Sequence, residues 1–107
     1  MQFRGGMNEL MRQAARMQRK IDQVKQELAD KEHVADSAGG KVRVTATCAG
    51  KITRIEVDAD FIAQEGLELA CDAIAGAANA ALAAADKALE VEVAKVTGGV
   101  KLPNVTG

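Results

Sequence analysis

The apolar residues of this chain change their spacing twice, and nothing else constrains its fold as strongly. From Met7 through Leu10, Ala14, Met17, Ile21 and Val24 to Leu28 they recur at alternating intervals of three and four. That is the heptad pattern of a helix with one buried seam. Between Val42 and Val57 the period falls to two. Val42, Val44, Ala46 and Cys48 alternate with Arg43, Thr45 and Thr47, and Ile55 and Val57 alternate with Arg54 and Glu56, as half-buried strands require. From Leu67 the helical interval returns, through Cys71, Ile74, Ala78, Leu82, Ala85, Leu89 and Val93 to Val96. The predicted class is α+β: a long N-terminal helix, a small antiparallel three-stranded sheet and a long C-terminal helix.

Punctuation residues set the expected boundaries. Gly5-Gly6 precede the first helix, which is expected from about Asn8, a capping residue, to Lys31. Glu32 to Ala38 reads as a weaker edge strand before the Gly39-Gly40 turn. A two-residue turn at Ala49-Gly50 would set Val44 opposite Ile55, Val42 opposite Val57 and Arg43 opposite Glu56. The second helix is expected over about Glu65 to Val96, rich in alanine and stopped by Gly98-Gly99. Residues 1–6 read as an N-terminal extension, and 100–107, with Pro103, as a short flexible tail. At 107 residues the chain is expected to be a single domain over 1–107, too short for two cores.

Length and composition bear on assembly. Much of the 48% hydrophobic content is alanine, and Phe3 and Phe61 are the only aromatics, so one subunit would build a thin core. Helices of roughly 35 and 50 Å overshoot a sheet about 20 to 25 Å across. An apolar stripe projecting past its own sheet calls for cover from a second chain, so a homodimer with helical arms is expected. Leu10, Met17 and Ile21 on the first helix and Ile74, Ala78 and Leu82 on the second are the expected interface residues. No apolar run approaches the roughly 18 residues of a membrane span, and the N-terminus lacks the apolar core of a signal peptide, so a cytoplasmic protein without a membrane partner is expected. Cys48 and Cys71 read as unpaired small hydrophobes.

Catalysis finds little support. His33 is the single histidine, with no nucleophile arrangement around it, and two remote cysteines do not make a metal site. Asp58 and Asp60, near a strand-to-helix turn, read as cap or turn residues. The glycine pairs match no phosphate-binding loop. No enzyme activity, cofactor, metal or small-molecule substrate is expected.

Charge is more informative in its distribution than in its sum of −1. Residues 1–25 hold Arg4, Arg12, Arg16, Arg19, Lys20 and Lys25 against Glu9 and Asp22, whereas residues 56–92 hold nine acids against Lys87. At about 100° per residue, Arg12, Arg16, Arg19 and Gln23 fall in a wedge roughly 60° wide, almost opposite the apolar seam. Arg12 stacks on Arg16 and Arg16 on Lys20, each like-charge pair costing a few tenths of a kcal/mol in an isolated helix. Glu27, by contrast, is placed to meet Lys31. A face that accepts such repulsion points to an anion, bound through phosphates rather than bases because aromatics are lacking. The competing readings are a solvated face, or an adaptor homodimer whose basic helix docks an acidic protein. A site assembled only between subunits is the remaining enzymatic route.

The order of these pieces resembles the YbaB/EbfC family of bacterial nucleoid-associated proteins. The resemblance is carried by MNELMRQAARMQRKIDQVKQELADKE, by the glycine pair before KVRVTATCAGKITRIEVD, and by the closing VTGGVKLPN, and it spans Met7 to Asn104. It implies a tweezer-like homodimer located in the nucleoid that binds double-stranded DNA with low sequence preference, in nucleoid organisation, gene regulation or recombinational repair. Carried over by position, the family's DNA contacts fall on Arg12, Arg16, Arg19 and Lys20, and on Lys87, Lys95 and Lys101. Two features depart from the family pattern: the acids Asp86, Glu90 and Glu92 in the last helix, and FIAQEGL at residues 61–67, which lacks the usual acidic, proline-containing turn.

Overall fold

The computed structural model describes residues 2–98, with side chains from residue 6 onward. The elements run α1 (Gln2–Leu28), β1 (Glu32–Ser37), β2 (Val42–Thr47), β3 (Ile52–Val57), α2 (Ala59–Glu65) and α3 (Leu67–Thr97). The sheet is antiparallel in the order β1-β2-β3. The α+β layout therefore stands, while several boundaries move.

Helix α1 begins at Gln2 rather than Asn8, so it runs through Gly5-Gly6 and Asn8 is not its cap. Once a helix is nucleated each further residue adds a backbone bond, and two glycines at roughly 1 kcal/mol each do not stop it. Its other end comes early, at Leu28, whose carbonyl accepts from the Lys31 amide at 2.9 Å. Lys31 thus lies past the helix, and Glu27 accepts instead from Gln23 Nε2 at 3.1 Å. The second expected helix is two. Asp58 Oδ1 accepts from the Asp60 amide at 2.8 Å and starts α2, and Gly66, at φ +90°, separates α2 from α3. Gly98 closes α3 in the left-handed conformation. Gly99 and the tail with Lys101 and Pro103 lie outside the described residues.

The hairpin keeps the expected pairs Val42–Val57, Arg43–Glu56 and Val44–Ile55. Nearer the turn a β-bulge intervenes: Ala46 faces Ile52 and Thr53 is the extra residue. The loop is also wider than two residues, with Thr47 and Lys51 still joined by a 2.8 Å bond.

Val42, Val44 and Ala46 of β2 meet Ala77 and Ala81 of α3, all with no solvent exposure. The small side chains let the helix backbone sit close on the sheet. Thr45 and Thr47, on the other face, are buried too, against simple alternation. Side chains from the flanking strands reach over them, and Thr53 Oγ1 donates to Glu32 Oε2 at 3.2 Å across the central strand.

Beyond the sheet, α3 continues against the C-terminal half of α1. Ile21 (2% exposed) and Val93 are buried there, with Val24, Leu28, Leu89 and Val96 half-buried. This corrects the expectation that a second chain must cover both projecting stripes: the two helices cover each other, and Ile21 is wholly enclosed within one subunit. What stays bare is α1 from residue 6 to 16, where Met7, Leu10 and Met11 are 62%, 66% and 67% exposed. The result is a rod, 75 × 21 × 17 Å. Contrary to the sequence expectation, α3 is long and apolar enough by length and composition to span a membrane. That apolarity is mostly alanine, and Ala70, Ala77, Ala81 and Ala85 are buried inside the molecule.

Candidate nucleic-acid interface

The predicted cationic residues stand on the bare part of α1 and just beyond it. Arg12, Arg16, Arg19 and Lys20 are all exposed. The heptad seam turns Met17 and Ile21 toward α3; Arg12 and Arg19 lie almost opposite it, while Arg16 and Lys20 stand on its flank, and all four reach solvent. Sequence reading missed their counter-charge. Glu9 Oε2 lies 3.6 Å from Arg12 and its Oε1 3.5 Å from Arg16, so one carboxylate offsets part of the repulsion between them. The i,i+3 relation of Glu9 and Arg12 was the available signal. No carboxylate lies within 4.0 Å of Arg19 or Lys20 among the described residues.

Where α1 meets the end of α3 the surface is concave. A groove of about 340 Å³ is lined by Gln13, Arg16, Met17, Lys20 and Val96. Two cations and an amide on an apolar floor can hold an anionic strand by charge and van der Waals contact together. Gln13 and Val96 join the site only through the packing of the two helices, so no periodicity in either segment announces them.

The C-terminal cations are less available. Lys95 Nζ lies 2.8 Å from Glu92 Oε2, and this hydrogen bond, with a smaller effect of Lys31, holds the Glu92 carboxyl below its ordinary range. Lys87 is exposed between Asp86 and Glu90 on α3, away from the α1 groove. Lys101 lies outside the described residues.

Other charges of the sheet are internally matched. Arg43 Nε donates to Asp36 Oδ1 at 3.0 Å, which raises the guanidinium pKa, with Glu56 adding to it from β3. Lys41 lies 3.5 Å from Asp58. The unmatched positive charge therefore concentrates on α1. Of the expected interface residues, Leu10 is exposed, Ile74, Ala78 and Leu82 are half-buried along α3, and Met17 and Ile21 face α3 of the same subunit. His33 sits half-buried on β1, its Nε2 without a hydrogen-bond partner. Among the described residues no three His, Cys, Asp or Glu side chains gather as a metal site.

The chain is 39% identical over 103 residues to a nucleoid-associated protein of Clostridium novyi, covering 94% of this chain and 90% of that one. It is 37% identical over 98 residues to a nucleoid-associated protein of Acetivibrio thermocellus, covering 92% and 87%. The crystal structure of an uncharacterised Helicobacter pylori protein has the same fold, with a TM-score of 0.70 at 19% identity, covering 85% of this chain and 96% of that one. A model of the YbaB/EbfC DNA-binding family matches residues 3–100. By the family match over nearly its whole length and by its similarity to these nucleoid-associated proteins, this chain belongs to the YbaB/EbfC DNA-binding family.

Proposed function

We propose that the protein binds double-stranded DNA, mainly through phosphates and with little sequence preference, by the cationic face of α1. It does so as a homodimer, in the nucleoid of the bacterial cytoplasm. The observation that carries this reading is the placement of Arg12, Arg16, Arg19 and Lys20 on one exposed face, beside the groove at the α1–α3 junction. Arg16 and Lys20 flank the groove, and Arg12 and Arg19 extend the positive face along the helix. Lys87, Lys95 and Lys101 are secondary contacts, Lys95 the weaker for its bond to Glu92. Among the described side chains base reading has no apparatus: Phe61 is half-buried under α3, and the cationic face carries no aromatic ring to stack. Such binding would serve nucleoid organisation, gene regulation or recombinational repair.

Two subunits double the face, so modest patches act together through effective concentration. With about six to eight phosphate contacts, affinity should fall a thousandfold or more between 50 and 200 mM salt. The test is a mobility-shift series on random duplex DNA at several salt concentrations. Arg12→Glu combined with Arg16→Glu abolishes the shift while the circular dichroism spectrum is unchanged and the protein stays dimeric. Undiminished binding by that variant would sink the site assignment. Capture of one acidic protein by the wild type, with no DNA shift at low salt, would favour the adaptor.

A further inference from the structure

The apolar seam of α1 is longer than the helix that covers it. Along its C-terminal half Ile21 is enclosed, and Val24 and Leu28 are half-buried. Toward the N-terminus the cover thins and then ends: Met17 is half-buried, whereas Ala14, Leu10 and Met7 are exposed. The break falls where α3 stops. Val96 still lines the groove beside Met17, Thr97 is the last helical residue, and Gly98 leaves the helix in the left-handed conformation. The two helices run antiparallel. Just past the end of α1, the Lys31 carbonyl accepts from the Cys48 amide, and the Cys48 thiol donates to the Ala85 carbonyl in mid-α3. Met17, ahead of that end, sits by Val96 instead. A chain leaving α3 along its own direction therefore heads over Ala14, Leu10 and Met7.

We propose that this bare seam is the seat of residues 100–102 of the same chain, with Val100 over Ala14 and Leu102 over Leu10. The sequence continues for nine residues past Gly98, an extended reach of about 30 Å. From Met17 to Met7 the seam is only about 15 Å long, so the segment spans it with chain to spare. Val100, Lys101 and Leu102 alternate apolar, charged, apolar. In an extended run both apolar side chains then face the seam, and Lys101 faces solvent. Pro103 favours that form at Leu102, because the residue before a proline is pushed out of the helical region. Ala14 is the one small residue between Met17 and Leu10 on the seam, which leaves room for Val100. Attachment selects this occupant over a separate molecule. The segment starts where the cover of α3 ends, continues the same contact, and is held there at millimolar effective concentration.

Disulfide trapping on the full chain, without DNA, tests this separately from the DNA-binding reading. The background is Cys71→Ser, with the buried Cys48 kept. There Leu10→Cys combined with Leu102→Cys closes under copper-phenanthroline to a product of one-subunit mass that has lost two thiols. Asn8→Cys, turned about 200° from Leu10 to the opposite face, closes with Leu102→Cys severalfold more slowly. Equal closure at the two positions overturns the proposal, since a segment without a seat meets both faces alike. A disulfide joining two chains through Leu10→Cys and Leu102→Cys also overturns it and gives the seam to a second copy. Hydrogen exchange supplies a readout without new cysteines. Ending the chain at Gly99, or Leu102→Asp in the full chain, should speed exchange of the α1 amides from Leu10 to Met17 severalfold. Exchange left unchanged by both would overturn the docking.

Discussion

Glu9 is the residue on which the cationic face turns. It lies within 3.6 Å of Arg12 and 3.5 Å of Arg16, all three largely exposed. Exposed pairs of this kind contribute about 0.2–1 kcal/mol, so Glu9 does little for stability while subtracting a charge from any phosphate contact. Glu9→Gln should therefore tighten DNA binding about two- to fivefold at low salt, with the melting temperature nearly unchanged; titration of labelled duplex measures it. Weaker binding would mean that Glu9 positions the arginines rather than competing for them. The like-charge stacking read from the sequence is real for Arg16 and Lys20. For Arg12 and Arg16 it is partly relieved, because Glu9, one turn before Arg12 and two turns before Arg16, reaches both only when the arginine rotamers point toward the N-terminus. Periodicity tells which face a residue occupies and leaves the rotamer open.

Elements are governed by where the backbone is allowed to turn. Gly66 ends α2 at φ +90°, a conformation that strains any side chain. Gly76 lies in mid-helix, and a methyl group added there meets nothing within 4 Å. The two glycines should respond oppositely to the same change. Gly76→Ala should stabilise by roughly 0.5–1 kcal/mol, and Gly66→Ala should destabilise by about 1 kcal/mol or more; thermal melts compare them. Helix α2 also carries a pH signature. The Asp60 amide, with help from Lys41, holds the Asp58 carboxyl below its ordinary range, so the charged cap is the favoured form in the native state. A depressed native pKa adds stability that is complete above the ordinary carboxylate range and disappears as pH falls through the native value. Asp58→Ala should therefore melt below the wild type at pH 7, and the gap should close in acid. The cap at Asp58 was legible in the sequence. The break at Gly66 was not, because an isolated glycine in an apolar periodic run reads equally well as a tolerated helix residue.

At the scale of the molecule, charge and cover are divided along the rod. The N-terminal arm of α1 is bare and cationic, and α3 between Leu67 and Asp86 carries acids with no lysine or arginine. In a homodimer each rod contributes one cationic face, and the salt dependence of DNA binding should reflect both. A monomeric variant should then show about half the wild-type slope of log affinity against log salt, because half the phosphates are engaged. An unchanged slope in a monomer would mean that a single face supplies all the contacts.

The spacing of apolar residues by itself determined the element order, the α+β class, the pairing of β2 with β3 and the face on which Arg12, Arg16 and Arg19 lie. Those are local properties: side-chain direction repeats every 3.6 residues in a helix and every two in a strand, so one segment suffices to read them. Tertiary structure decided what covers what. It set α1 against the far half of α3, which enclosed Ile21 within one subunit, formed the groove between Lys20 and Val96, and left Ile52 and Ile55 bare. No single segment carries that information, because burial depends on how far each element reaches across its neighbour. The lengths of α1 and α3 relative to a six-residue strand made overshoot certain, and only their packing assigned the cover.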